Sequence, residues 1–215
     1  MKIKNVNASH TPLYREAGFN LKNSKLTKKA FLSEQEHPHE PDNYIYSRYR
    51  NPTVVQVEKQ LMKLEECNWA LLVETGMAAI DVAVSVFQKG SKTRPWLFFH
   101  EIYGGTNSFI DTVLIKRRDL DIHRFYADEG NYDYIKLENI LKEIKPEFLY
   151  FEAVSNPMLI VADVKKILTL AKKYETKIIV DNTFGTPFLW KPLADGADLV
   201  IHSATKYLSG HGNIT

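Results

Sequence analysis

The sequence predicts an α/β fold with a mostly parallel central sheet. Short apolar runs of strand length alternate with longer stretches in which apolar residues return at three- and four-residue steps. With 215 residues and 44% hydrophobic content, the chain can bury one sizeable core. Its 25% charged residues are average for a globular chain, which argues against a disordered tail.

Residues 1–50 are polar, rich in Asn, Lys, Glu, His and Pro, and without sustained periodicity. They read as an arm with little core of its own. Helical spacing begins at Val54 and continues through Val57, Leu61 and Leu64, with Pro52 near the start. Ala70 to Val73 reads as a buried strand. Thr75-Gly76 then opens a helix from Met77 to Gln88, closed by Gly90. Trp96 to Phe99 is the next strand, Gly104-Gly105 leads into a helix from Thr106 to Lys116, and Ile122 to Tyr126 is a strand again. The spacing predicts further helices over Tyr132 to Ile144 and Val164 to Tyr174. Strands are predicted over Phe148 to Phe151, Lys177 to Val180 and Leu199 to His202.

Several function classes fall away early. A formal charge of +2, from 28 basic and 26 acidic side chains, is too small for bulk attraction to nucleic acid. No apolar run approaches the ~20 residues of a membrane span. The opening Met1-Lys2-Ile3-Lys4-Asn5 is basic, but no apolar stretch follows, so a secretory signal is not expected. The single cysteine, Cys67, cannot form an internal disulfide, which fits a reducing, cytoplasmic setting.

In a parallel sheet the ligand site lies beyond the carboxyl ends of the strands, and the informative residues stand there. Gly76 and Met77 open a helix, where free N–H groups and the helix dipole suit a phosphate; an ordinary cap is the alternative. Tyr103 sits on a turn made by Gly104-Gly105, where its ring could lie flat on a ligand or simply be half-buried. Asn156, before Pro157, offers an amide at a turn. Asp181 ends a buried strand, which is costly unless a cation or donor meets it, although a helix cap would also explain it. Lys206, near Ser203 and Thr205, could be a desolvated amine suited to Schiff-base chemistry or a solvated lysine. Taken together the set is specific: it is what a phosphorylated pyridine aldehyde requires.

The motifs Tyr46-Ser47-Arg48, Asn51-Pro52-Thr53, Gly76-Met77-Ala78-Ala79, Tyr103-Gly104-Gly105-Thr106 and Asn156-Pro157 occur in order. Val180-Asp181-Asn182-Thr183-Phe184, Thr186-Pro187 and His202-Ser203-Ala204-Thr205-Lys206-Tyr207 follow. On these motifs, from residue 46 to the end, the chain resembles the Cys/Met-metabolism family of pyridoxal-phosphate enzymes of fold type I. That family includes cystathionine γ-synthase, cystathionine lyases, methionine γ-lyase and O-acetylhomoserine sulfhydrylase. The resemblance implies elimination or replacement at the β- or γ-carbon of a sulfur- or oxygen-substituted amino acid, with pyridoxal 5′-phosphate as cofactor. It implies that Lys206 holds the cofactor and moves protons, that Asp181 protonates the pyridine nitrogen, and that Tyr103 stacks on the ring. Gly76, Met77, Ser203 and Thr205 would hold the phosphate, and Asn156 the ring hydroxyl.

Tyr46 and Arg48 would reach the phosphate of a neighbouring subunit. The resemblance thus assigns residues 1–50 to an arm shared between copies of a homodimer or homotetramer, and residues 51–215 to a cofactor-binding large domain. A C-terminal domain carrying the arginine for the substrate carboxylate is expected beyond Thr215, so the chain reads as part of a longer enzyme and, alone, as catalytically incompetent. A truncated, non-catalytic cofactor-binding or oligomer-partner protein is the alternative. Three departures stand out: Ala153-Val154 replaces the family's (Ser/Thr)-Pro, Thr75 a common Ser, and Gly105 the Cys of methionine γ-lyases.

Other motifs weigh less. Ser203-Ala204-Thr205-Lys206 also matches the S-x-x-K nucleophile pattern, but its Ser-Asp-Asn and Lys-Thr-Gly partners are missing. Glu36, His37, His39 and Glu40 could be imagined as a metal site, yet their polar setting favours a solvated loop, and no metal is expected. Gly210-His211-Gly212 is half a dinucleotide fingerprint, and nothing near Cys67 marks it as a nucleophile.

Overall fold

A computed structural model describes residues 12–90 and 94–214. The opening Met1-Lys2-Ile3-Lys4-Asn5 and the first part of the arm lie outside the described residues. The chain divides between Leu72 and Val73 into two compact units.

Among the described residues, the first unit holds two helices, α1 (Ser24–Glu36) and α2 (Pro52–Glu65). The periodicity of the arm did not predict α1, because its buried residues are Ala30, Ser33 and Glu34 rather than an apolar stripe. Asn23 caps it by accepting the Leu26 N–H at 2.9 Å. Asn51 caps α2 in the same way through the Thr53 N–H at 2.8 Å, with Pro52 in the first turn, where a missing N–H costs nothing. The expected apolar stripe of α2 is turned the other way: Val57 and Leu64 are exposed, and Val55, Glu58 and Glu65 are buried.

Glu58 organises this unit. Its carboxylate is fully buried, accepts the Leu72 N–H at 3.0 Å, and lies 3.5 Å from the Arg50 guanidinium and 3.6 Å from His39 Nε2. His39 Nε2 also bonds the Ala70 carbonyl at 2.8 Å. The strand expected over Ala70 to Val73 does not form. At Ala70 and Leu72, backbone groups that a sheet would use are taken by these two side chains. Glu40 forms an ion pair with Lys59 at 3.0 Å.

The second unit is an α/β layer structure. Its parallel sheet comprises β1 (Trp96–Phe99), β2 (Ile122–Phe125), β3 (Phe148–Glu152), β4 (Lys177–Asp181) and β5 (Leu199–Ile201), in the order β2-β1-β3-β4-β5. Every residue of β1 and β3 is buried, so both sheet faces are covered there, and the strands read as unbroken apolar runs. Helices α3 (Gly76–Ser85), α4 (Gly104–Phe109), α5 (Tyr134–Ile144) and α6 (Val164–Lys173) supply the cover, with short helices α7 (Thr186–Leu189) and α8 (Pro192–Asp195). Helix α4 runs on as π-helix over Ile110–Ile115, filling the span expected to be a plain α-helix.

Phe148 sits at the centre of an aromatic cluster, with ring centroids 4.8 Å from Trp96, 5.3 Å from Phe87 and 5.5 Å from Phe98. Its side chain is wholly buried. Phe148→Ala is expected to cost about 3–5 kcal/mol through lost burial and the cavity left behind, measured by urea unfolding.

Candidate functional site

The strand order reverses between β1 and β3, the point at which an open parallel sheet forms a crevice at its carboxyl ends. A cavity of about 250 Å³ lies among the residues that follow these strands, within the second unit. The first turn of α3 forms one wall, through Thr75, Gly76 and Met77. Tyr103 comes from the turn after β1, and Glu152 and Asn156 from the end of β3 and the loop beyond it. Asp181 and Thr183 follow from β4, and Ser203, Thr205 and Lys206 from the segment after β5.

Each wall has a local cause. Thr75 caps α3 by accepting the Ala78 N–H at 3.0 Å, while the first N–H groups of a helix have no partner inside it. Gly76 packs so closely on the β5 loop that a Cβ there would stand 2.9 Å from the Ser203 Cβ and 3.0 Å from its Oγ. Only glycine lets the helix end approach Ser203. The Ser203 N–H in turn donates to Thr183 Oγ1 at 2.9 Å, tying the β5 loop to the β4 loop. At Gly105 the Tyr103 ring occupies the space a Cβ would need, so a larger residue there would move the ring. Lys206 is exposed, on the turn that precedes a short 3₁₀ segment, Tyr207–Ser209.

The electrostatics centre on two acids. Glu152 and Asp181 are register partners at the ends of β3 and β4. Glu152 is only 7% exposed and accepts two backbone donors, the Tyr103 N–H at 2.6 Å and the Asn156 N–H at 3.0 Å. Burial, and next the Asp181 charge, push its carboxyl up to about 8 against the pull of those two donors. Asp181 accepts the Tyr150 hydroxyl at 3.2 Å and the Thr183 N–H at 3.0 Å. Burial raises its carboxyl as well, opposed by Thr183, Tyr150 and His202. The buried Tyr150 hydroxyl is held well above its usual range by burial and then by the Asp181 and Glu152 charges, so it stays a donor.

Of the residues predicted from sequence, Gly76, Met77, Tyr103, Asn156, Asp181, Ser203, Thr205 and Lys206 come together at this one cavity. Tyr46 and Arg48 belong to the first unit, where the Arg48 guanidinium lies 4.8 Å from the centre of the Tyr46 ring and 5.7 Å from that of Tyr49. Sequence reading did not single out Glu152, Tyr150 or Thr183. The signal for Glu152 was available: like Asp181, it is an acid ending an otherwise apolar strand.

A pH dependence follows. Between the ordinary 4.5 and the raised value of about 8, folded Glu152 keeps a proton that the unfolded chain has released. Its contribution to stability is therefore fully present below about pH 4.5 and is lost as pH rises through about 8, at no more than ~1.4 kcal/mol per pH unit. Asp181 acts in the same direction. In the cofactor-free chain, Glu152→Gln is expected to flatten the fall in melting temperature between about pH 5 and 8, followed by circular dichroism.

Comparison with known proteins agrees with this geometry. A family model described as Cys/Met metabolism PLP-dependent enzyme matches residues 2–215. A cystathionine β-lyase of Lactococcus lactis subsp. cremoris is 38% identical over 181 residues, 81% of this chain and 44% of that protein. A cystathionine γ-synthase of Escherichia coli strain K12 is 41% identical over 175 residues, 81% of this chain and 43% of its own length. Among solved structures, a putative O-acetylhomoserine (thiol)-lyase of Campylobacter jejuni, determined with N′-pyridoxyl-lysine-5′-monophosphate, superposes with a TM-score of 0.76 at 31% identity. The match covers 94% of this chain and 47% of that one. The chain spans a little under half the length of these relatives. The fold is the large-domain fold of fold-type-I pyridoxal-phosphate enzymes. With its sheet order, its cavity and a family match running nearly end to end, the chain belongs to the Cys/Met-metabolism family of pyridoxal-phosphate-dependent enzymes.

Proposed function

We propose that this chain binds pyridoxal 5′-phosphate at the strand-end cavity and forms part of an enzyme of trans-sulfuration or related methionine and cysteine metabolism. That enzyme would carry out elimination or replacement at the β- or γ-carbon of a sulfur-substituted or O-acylated amino acid. The observation that carries the reading is the meeting of Lys206, Asp181, Tyr103 and the α3 N-terminus at one cavity.

The donor set fits the cofactor. A phosphate suits the first N–H groups of α3 together with the Ser203 and Thr205 hydroxyls, and the close approach of Gly76 to Ser203 draws these donors into one cradle. A pyridine nitrogen suits the Asp181 carboxylate, already braced by Tyr150 and Thr183. Tyr103 offers a ring face, Asn156 an amide, and Lys206 the amine that an aldehyde requires.

When bound, pyridoxal phosphate supplies an aldehyde that condenses with amines and a ring that accepts the electron pair released at the substrate α-carbon. Lys206 Nζ would hold the cofactor and, when free, would take and return the substrate α-proton. Asp181 would keep a proton on the pyridine nitrogen, its carboxylate held in orientation by the Thr183 N–H on Oδ1 and the Tyr150 hydroxyl on Oδ2. Tyr103 would offer its ring to stack on the cofactor and would assist proton transfer.

In this reading Tyr46 and Arg48, on the arm formed by residues 1–50, reach the phosphate of a neighbouring copy, so the site is completed in a homodimer or homotetramer. Residues 51–215 form the large domain, and a further domain supplies the binding group for the substrate carboxylate. We place the enzyme in the cytoplasm: Cys67 is the only cysteine, and among the described residues no helix is long and apolar enough to cross a membrane.

Treatment with pyridoxal phosphate and borohydride is expected to add the mass of one cofactor per chain, and Lys206→Ala is expected to add none. Intact-mass measurement reads both. An adduct retained by Lys206→Ala sinks the assignment of Lys206. An adduct in the natural, full-length protein without turnover of any sulfur- or oxygen-substituted amino acid favours a non-catalytic cofactor-binding role.

A further inference from the structure

We infer that Glu152 is a positioning residue of the cofactor site, its single carboxylate clamping the loop that carries Tyr103 to the loop that carries Asn156. The inference rests on the reading of the cavity as a pyridoxal-phosphate site.

The geometry is that of a two-point clamp. Glu152 Oε1 accepts the Tyr103 N–H at 2.6 Å, and Oε2 accepts the Asn156 N–H at 3.0 Å. Tyr103 follows β1 and Asn156 follows β3, the two neighbouring strands between which the sheet order reverses. The clamp therefore bridges the crevice at its opening. Tyr103 has little other restraint on its side chain: the residue is 49% exposed and makes no side-chain cap bond to α4. The backbone bond to Glu152 thus fixes where the ring begins, and the small Gly105 fixes where it can lie.

An acid here is not what folding alone would choose. Glu152 is buried beside Asp181, so its ionised form is opposed by burial and by a like charge. Glutamine would fill the same space without charge. What glutamine cannot do is offer an acceptor at both terminal atoms, because its amide nitrogen would face one N–H with another donor. The carboxylate is the side chain of that length that offers an acceptor to each loop.

The test uses the 215-residue chain at about pH 9, where the carboxylate is ionised. Glu152→Gln is compared with the unaltered chain in cofactor-free melting temperature, in pyridoxal-phosphate dissociation constant by titration, and in the visible circular dichroism of the bound cofactor. The same substitution is then made in a Tyr103→Ala background. We expect an equal or higher melting temperature, affinity for the cofactor weakened about tenfold, and a smaller dichroic band at saturation. In the Tyr103→Ala background the loss of affinity is expected to shrink, since part of it acts through Tyr103. An unchanged affinity and band, an equal loss in both backgrounds, or a lowered melting temperature overturns the positioning role while leaving the site reading intact. An unaltered chain that takes up no pyridoxal phosphate overturns both.

Discussion

The cavity depends on one constraint: two carboxylates end adjacent strands. The parallel pairing of β3 with β4 runs in register from Phe148 opposite Lys177 to Glu152 opposite Asp181, so the acids cannot be separated without slipping the sheet. Burial raises both carboxyls, and the Asp181 charge further opposes the ionisation of Glu152. The structure answers with donors, and each donor fixes a piece of chain. Tyr103 and Asn156 turn their N–H groups to Glu152, while Thr183 and the Tyr150 hydroxyl serve Asp181. The shapes of three loops thus follow from meeting the needs of two side chains.

The first unit follows the same logic on a smaller scale. Glu58 lies fully buried, with Arg50 and His39 near its carboxylate and the Leu72 N–H bonded to it. A buried acid that recruits backbone donors decides what the nearby chain can become. Here it prevents a strand, whereas in the sheet unit it orders loops around a cavity.

This contrast explains what could be read from sequence. The sheet strands were legible because both faces are covered, and their apolar runs stop at turn residues; Trp96–Phe99 and Phe148–Glu152 show it. Lys206, Asp181 and Tyr103 were legible because a parallel fold says where to look. Helix α1 was not, since polar residues dominate its buried positions, and the α2 stripe was periodic yet outward-facing. The run Ala70 to Val73 looked like its neighbours, and only the distant Glu58 and His39 make it different. Tyr150 was not legible because its meaning depends on Asp181 of the strand beside it, which no local window contains, whereas Glu152 carried the same strand-end signal as Asp181.

The strand order also governs when the site can exist. Leu97 of β1 pairs with Leu149 of β3, so the centre of the sheet closes only after some fifty intervening residues have been made. Of the described strands β5 is made last, at the edge of β4, and Lys206 follows it. The close contact of Gly76 with Ser203 therefore forms only once β5 has been made. Until then the growing chain holds the apolar strands β1 to β4 together without that contact.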